Sequence, residues 1–264
     1  MANRNTDFDF AIKQIVRIIN ATRQSIPFFR NNRLLHGLFQ QKWIVLVLII
    51  GSCLYSYSFI KDVYDFFSTP ATNEVLEASL GNTADLGKIS EVVKDQGKQA
   101  AFHGGSKYLL LILLEVIIFF VSVKTLSILN NEPHKPTFKE FIRAEERMIK
   151  VMFSNFILAL IIQIFVYIAL SILGFSDLSV FVMFFVHAYF IGYAFLDNYN
   201  EQFGLKLKES RKIITQHKFA STALGVLISG ILIIPVLGAI ITPFLGAVIA
   251  TLYGHNYHME ETIV

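Results

Sequence analysis

The sequence predicts an all-α integral membrane protein: two long transmembrane helices, two hairpin helix pairs that enter the bilayer and turn back, and an amphipathic N-terminal helix. Three observations carry this. Of 264 residues, 54% are apolar and 16% charged, against roughly 25% charged in soluble domains. With a mean hydropathy of +0.54, a soluble fold would expose apolar surface it could not cover. Finally, two apolar runs match a hydrocarbon core of about 30 Å, while two others are broken near their midpoints by turn residues.

Residues 1–42 hold seven basic and two acidic residues. They offer no apolar run until Trp43, so a cleavable signal peptide is not expected. Phe8, Ile12, Ile15, Ile19 and Ile26 fall near one helical face, with Lys13, Arg17 and Gln24 on another. Such a helix lies in the headgroup plane or packs against the protein's own cytoplasmic loops.

The first span is 43–60, 18 residues reaching about 27 Å, with Trp43 at one interface and Tyr55 and Tyr57 near the other. It contains the lone Cys53, which excludes an intrachain disulfide. Residues 61–107, with seven acidic and five basic residues, read as an extracytoplasmic pair of helical extensions turning at Gly81, Asn82 and Gly87. The second span is 108–129, and it carries Glu115 and Lys124.

In 130–150, Pro133 and Pro136 forbid a continuous helix, and Thr137 to Glu140 fits a capping box opening a new one. Hairpin 1 is 151–196, broken at "GFSD" (174–177), where Asp177 suits a helix N-cap. Its arms are long enough either to cross or to dip. A charged connector, 197–218, leads to hairpin 2 at 219–253. Less a turn of about four residues, 219–253 leaves arms of about 15 residues, each about 23 Å and short of the core. Pro235 ends the first arm, Gly238 lets the chain reverse, and Pro243 kinks the second. Gly225, Gly230 and Gly246 permit close helix contact.

Lys and Arg gather on cytoplasmic flanks. Segments 1–42, 130–150 and 197–218 are each net basic and 61–107 is net acidic. Both termini are therefore expected in the cytoplasm.

Polar residues inside the apolar runs are the candidates for a pathway: Glu115, Gln163 and His187. A charge in hydrocarbon faces protein or water, whereas Lys124 near a span end can snorkel. Asp197, Glu201, Lys208 and Arg211 are expected to form salt bridges and caps that fix the angle between the hairpins. His255 and His258 lack a third ligand, so no metal is expected. No nucleophile elbow, P-loop or dinucleotide fingerprint is present, so neither an enzyme, a cofactor nor a nucleic-acid partner is expected.

Residues 193–251 resemble the CysZ-type sulfate permease family, which groups with the etoposide-induced membrane proteins. The resemblance rests on Asp197, the Glu201–Gln202 pair, Lys208–Glu209, Arg211, and "IP" at 234–235 followed by Pro243. It implies two long helices with two hemi-penetrating hairpins, a homodimer, and a bacterial inner-membrane location. It also implies an anion site at a Gly-Leu-Arg triplet before the first span. Here Gly37 and Leu38 match but Phe39 occupies the Arg position, leaving Arg33 and Lys42 as the candidate cations, and a Lys is a point charge rather than a planar fork. The functional expectation is a permease or channel for a small, sulfate-like anion. The alternative is a non-transporting membrane scaffold or envelope-assembly protein.

Overall fold

The structure, a computed structural model, describes residues 4–32, 34, 46, 49–54, 56–57, 105–132, 137–175, 178–234 and 236–258. Among these, seven helices are bounded: α1 (Arg4–Asn32), α2 (Gly105–Asn130), α3 (Phe138–Ile172), α4 (Leu178–Glu201), α5 (Leu207–Gln216), α6 (Lys218–Leu232) and α7 (Leu237–His258). Residues 49–54 of the first span are also helical. No strand occurs among the described residues. Ile142–Ile172, Leu178–Glu201 and Leu237–Tyr257 are long and apolar enough to cross a membrane by length and composition. The protein is an all-α membrane protein.

Helix α3 opens at the capping box: the Glu140 N–H donates to Thr137 Oγ1 (3.3 Å), and the Thr137 N–H donates to Glu140 Oε2 (2.7 Å). Satisfying these orphan donors lets the helix begin in polar sequence and run unbroken into the apolar arm. The hairpin 1 turn follows α3, with Gly174 at φ 76°. Asp177, the expected cap, lies outside the described residues.

Hairpin 2 pairs α6 and α7 through the turn at 233–236. The chain reverses at Val236 rather than Gly238: Val236 has φ 62°, a strained conformation for a β-branched residue. Its N–H donates to Ser56 Oγ of the first span (3.0 Å), which holds the turn in place. Gly238 serves close approach instead, because a Cβ there would overlap the Ile231 carbonyl oxygen. Pro235 lies outside the described residues. Pro243 is buried inside α7, which continues past it to His258. At the base, His217 Nδ1 and the Tyr253 hydroxyl are 2.7 Å apart, so Tyr253 is level with the start of α6 and the last turn of α7 extends beyond.

Helices α4 and α6 cross closely. A Cβ on Gly192 would overlap the Ser221 carbonyl oxygen, and one on Gly225 the Ala188 carbonyl oxygen. Ala188, Gly192, Ser221 and Gly225 thus form facing small-xxx-small pairs, the usual way helices approach in lipid. Ser221 Oγ donates to the Tyr189 carbonyl across the crossing (2.8 Å). On α7, Gly246 and Gly254 receive the rings of Phe195 and Tyr199. The apolar window of α7 is 78% buried and that of α3 only 11%, so α7 is the central helix and α3 a peripheral one.

Helix α1 packs across the base of hairpin 2 through Gln14, Ile18, Ala21 and Ser25, all buried. Gln14 Oε1 accepts from the N–H groups of Phe219 and Ala220 (3.1 Å each), and its Nε2 donates to the Gln216 carbonyl (2.8 Å). The N-terminus of α6 is capped by a side chain more than two hundred residues away. Of the two readings of α1, packing against the protein describes this face. The row Phe8, Ile12, Ile15, Ile19 and Ile26 is exposed.

Candidate functional site

The last two turns of α4 carry Asp197, Asn198, Asn200 and Glu201, whose side chains reach α2, α3 and α5. Asp197 and Glu201, spaced i,i+4, share the face that meets α3. There Arg147 grips Asp197 with a two-pronged contact: Nε donates to Oδ2 and Nη2 to Oδ1, both at 2.9 Å. Arg147 also donates to the Leu205 carbonyl and lies 3.7 Å from Glu201 Oε2. Such charge-assisted forks are strong and geometrically specific. Ser210 Oγ donates to Asp197 Oδ1 (2.5 Å) and accepts from Asn200 Nδ2 (2.9 Å), which binds α5 to the same knot. One guanidinium therefore joins α3, α4 and the loop into α5.

Asn198 points the other way, toward α2, and its Nδ2 donates to Glu115 Oε1 (2.6 Å). Glu115 is fully buried, and its Oε2 and Asn198 Oδ1 are buried without a hydrogen-bond partner. Glu115 is seven residues, about two turns, into the second span read from the sequence. In the structure it sits level with the connector end of α4. The reason is the neighbour of α2. Phe119 and Val123 pack on Ala144, so the second half of α2 lies along the charged opening turns of α3 rather than in lipid. Lys124 Nζ, also in this half, donates to the Leu34 carbonyl (2.9 Å).

Beside this knot opens a cleft of about 470 Å³, lined among others by Phe119, Arg143, Arg147, Lys150, Glu140, Glu146 and Glu201. Lys150 Nζ donates to Glu146 Oε1 (2.5 Å). Three cations face three carboxylates, so the formal charges of this lining cancel and do not favour one sign of ion.

The other candidates do not converge on it. Gln163 of α3 and His187 of α4 are half-buried. His187 is eleven residues before Asn198, about 16 Å along the helix. Lys208 is exposed; Arg211 is exposed too, and its Nη2 donates to Ser154 Oγ of α3 (2.8 Å). Arg33, Gly37, Leu38 and Lys42 lie outside the described residues. No group of three or more His, Cys, Asp or Glu suited to a metal occurs among the described residues.

Sequence reasoning missed Arg147, Asn198, Ser210, Ser56 and Gln14. For Arg147 a signal existed: Arg143 and Arg147 repeat the i,i+4 spacing of Asp197 and Glu201 with opposite charge.

A family model described as sulfate transporter CysZ/etoposide-induced protein 2.4 matches residues 23–243. The match extends far upstream of 193–251, where the resemblance was first legible, and takes in the first span, α2 and hairpin 1. No curated protein and no solved structure matches the chain. The chain belongs to the sulfate transporter CysZ/etoposide-induced protein 2.4 family, a transporter-type family.

Proposed function

We propose that the protein is a permease for a small inorganic anion of the sulfate class, working in a bacterial inner membrane with both termini cytoplasmic. Family membership supports the reading, and one structural relationship carries it: the hydrogen bond from the Val236 N–H to Ser56 Oγ. Counted from the cytoplasmic interface expected at Trp43, the thirteen residues to Ser56 correspond to about 20 Å of helix, against a core of about 30 Å. The 15 residues of α6 give nearly the same depth, about 22 Å, counted from the same cytoplasmic side. Ile233, Ile234, Val236 and Leu237 at the turn are exposed, as suits a tip that ends in lipid.

Helix α7 therefore begins inside the apolar layer. The Val236 and Gly238 N–H groups are taken by Ser56 and the Ile234 carbonyl, so what this helix start offers an anion is chiefly its dipole, the use that broken helices have in transporters. Arg33 and Lys42, just before the first span, are the proposed cations of the entry site. A homodimer is the proposed assembly, in keeping with the family.

Uptake of labelled sulfate into proteoliposomes tests this. The expected result is saturable, protein-dependent uptake that falls several-fold in Ser56→Ala. Absence of uptake by folded protein for sulfate and related oxyanions overturns it.

A second reading, a non-transporting scaffold or envelope-assembly protein, is favoured by the mutual neutralisation in the cleft and by the separation of Glu115 from His187. Normal sulfur assimilation with a weakened envelope in a deletion strain is its signature.

A further inference from the structure

Helix α1 presents three sectors, and the interior of the protein accounts for only one. At 100° per residue, Gln14, Ile18, Ala21 and Ser25 form the buried sector. The exposed apolar row Phe8, Ile12, Ile15, Ile19 and Ile26 is centred about 120° away around the helix. Exposed Arg23 and Arg30 border that row on its far side, and Lys13 and Arg17 follow in the polar sector. Arg17 stacks on the Tyr257 ring at 4.4 Å, and Asn256 Nδ2 donates to Gln24 Oε1 (3.3 Å).

The buried sector and these contacts tie α1 to the start of α6 and the end of α7, where the apolar hairpin gives way to polar sequence. A helix fixed at that boundary with one apolar and one basic sector has a single environment that satisfies both: the acyl chains below and anionic headgroups at the edge.

We infer that α1 is a lipid-seated arm, with Phe8, Ile12, Ile15, Ile19 and Ile26 in the interface of an anionic membrane and Arg23 and Arg30 on lipid phosphates. Gln14 then transmits that seating to the re-entrant hairpin, because it caps α6. The inference does not depend on what the protein transports.

Spin labelling of the full chain in a Cys53→Ser background tests it, since Cys53 is a free, exposed thiol. Labels at Ile19→Cys and Lys13→Cys are compared in phosphatidylcholine vesicles with and without phosphatidylglycerol. The inference expects the Ile19 label to collide with oxygen and the Lys13 label with a water-soluble nickel complex. It also expects Arg23→Glu/Arg30→Glu to raise nickel access at position 19 several-fold in the anionic vesicles. Equal nickel access at both positions overturns it, as does spin–spin coupling between copies at position 19, which would mean a protein partner. An unchanged label in the Arg variant overturns the anionic-lipid component. Failed sulfate uptake with the expected label pattern would count against the permease reading alone.

Discussion

Arg147 of α3 and Asp197 of α4, fifty positions apart in sequence, meet through two hydrogen bonds of 2.9 Å. Their side chains are 12% and 4% exposed, so neither charge has water to fall back on. Removing Asp197 leaves Arg147 only the longer 3.7 Å contact to Glu201 and the Leu205 carbonyl. Asp197→Ala is expected to cost about 3 kcal/mol, as broken buried pairs do, read by unfolding in detergent. Arg147→Met combined with Asp197→Leu is expected to recover part of that loss, because the guanidinium and its main carboxylate go together while Glu201 still loses its 3.7 Å partner.

Glycine substitutions should split by position. Gly192→Ala and Gly225→Ala place a methyl into backbone carbonyls of the facing helix and are expected to force α4 and α6 apart, lowering thermal stability by about 2 kcal/mol or more. Gly230→Ala meets nothing within 4 Å, and it should be neutral or stabilising by up to about 1 kcal/mol through helix propensity. Parallel melting curves of the three variants decide it.

Glu115→Gln is expected to be at least as stable as the parent. The new amide can still accept from Asn198 Nδ2, and its N–H₂ can reach Asn198 Oδ1, which now has no partner. Satisfying that acceptor should contribute about 1 kcal/mol. Glu115→Leu, which abandons both Asn198 groups, is expected to lose stability in the same detergent assay.

Gln14→Ala removes the cap from α6. The expected cost is about 1 kcal/mol, seen as roughly fivefold faster hydrogen exchange at the Phe219 and Ala220 amides, with the α4–α6 crossing unaffected.

The sequence made the membrane class, the all-helical fold and the start of α3 legible, because those depend on composition, run length and caps. The Thr137–Glu140 box and the break between α6 and α7 are local. What the sequence could not reveal depends on neighbours. An apolar run says nothing of whether lipid or protein covers it, so neither the Asn198 partner of Glu115 nor the packing of α2 on Ala144 of α3 was legible. The reversal was assigned to Gly238 on conformational freedom, yet Val236 takes the positive φ because Ser56 of a distant span satisfies its N–H. The Gln14 cap, more than two hundred residues from its target, has no local signature, whereas the Arg147 partnership was missed although matched i,i+4 charges signalled it.

The central claim is that hairpin 2 ends inside the bilayer. Labelling of Leu237→Cys in sealed proteoliposomes with a membrane-impermeant maleimide, in the Cys53→Ser background, tests it most directly. The account predicts protection from both sides of the membrane until detergent unfolding exposes the thiol. Ready labelling from one side of intact vesicles would put the turn in water and contradict it.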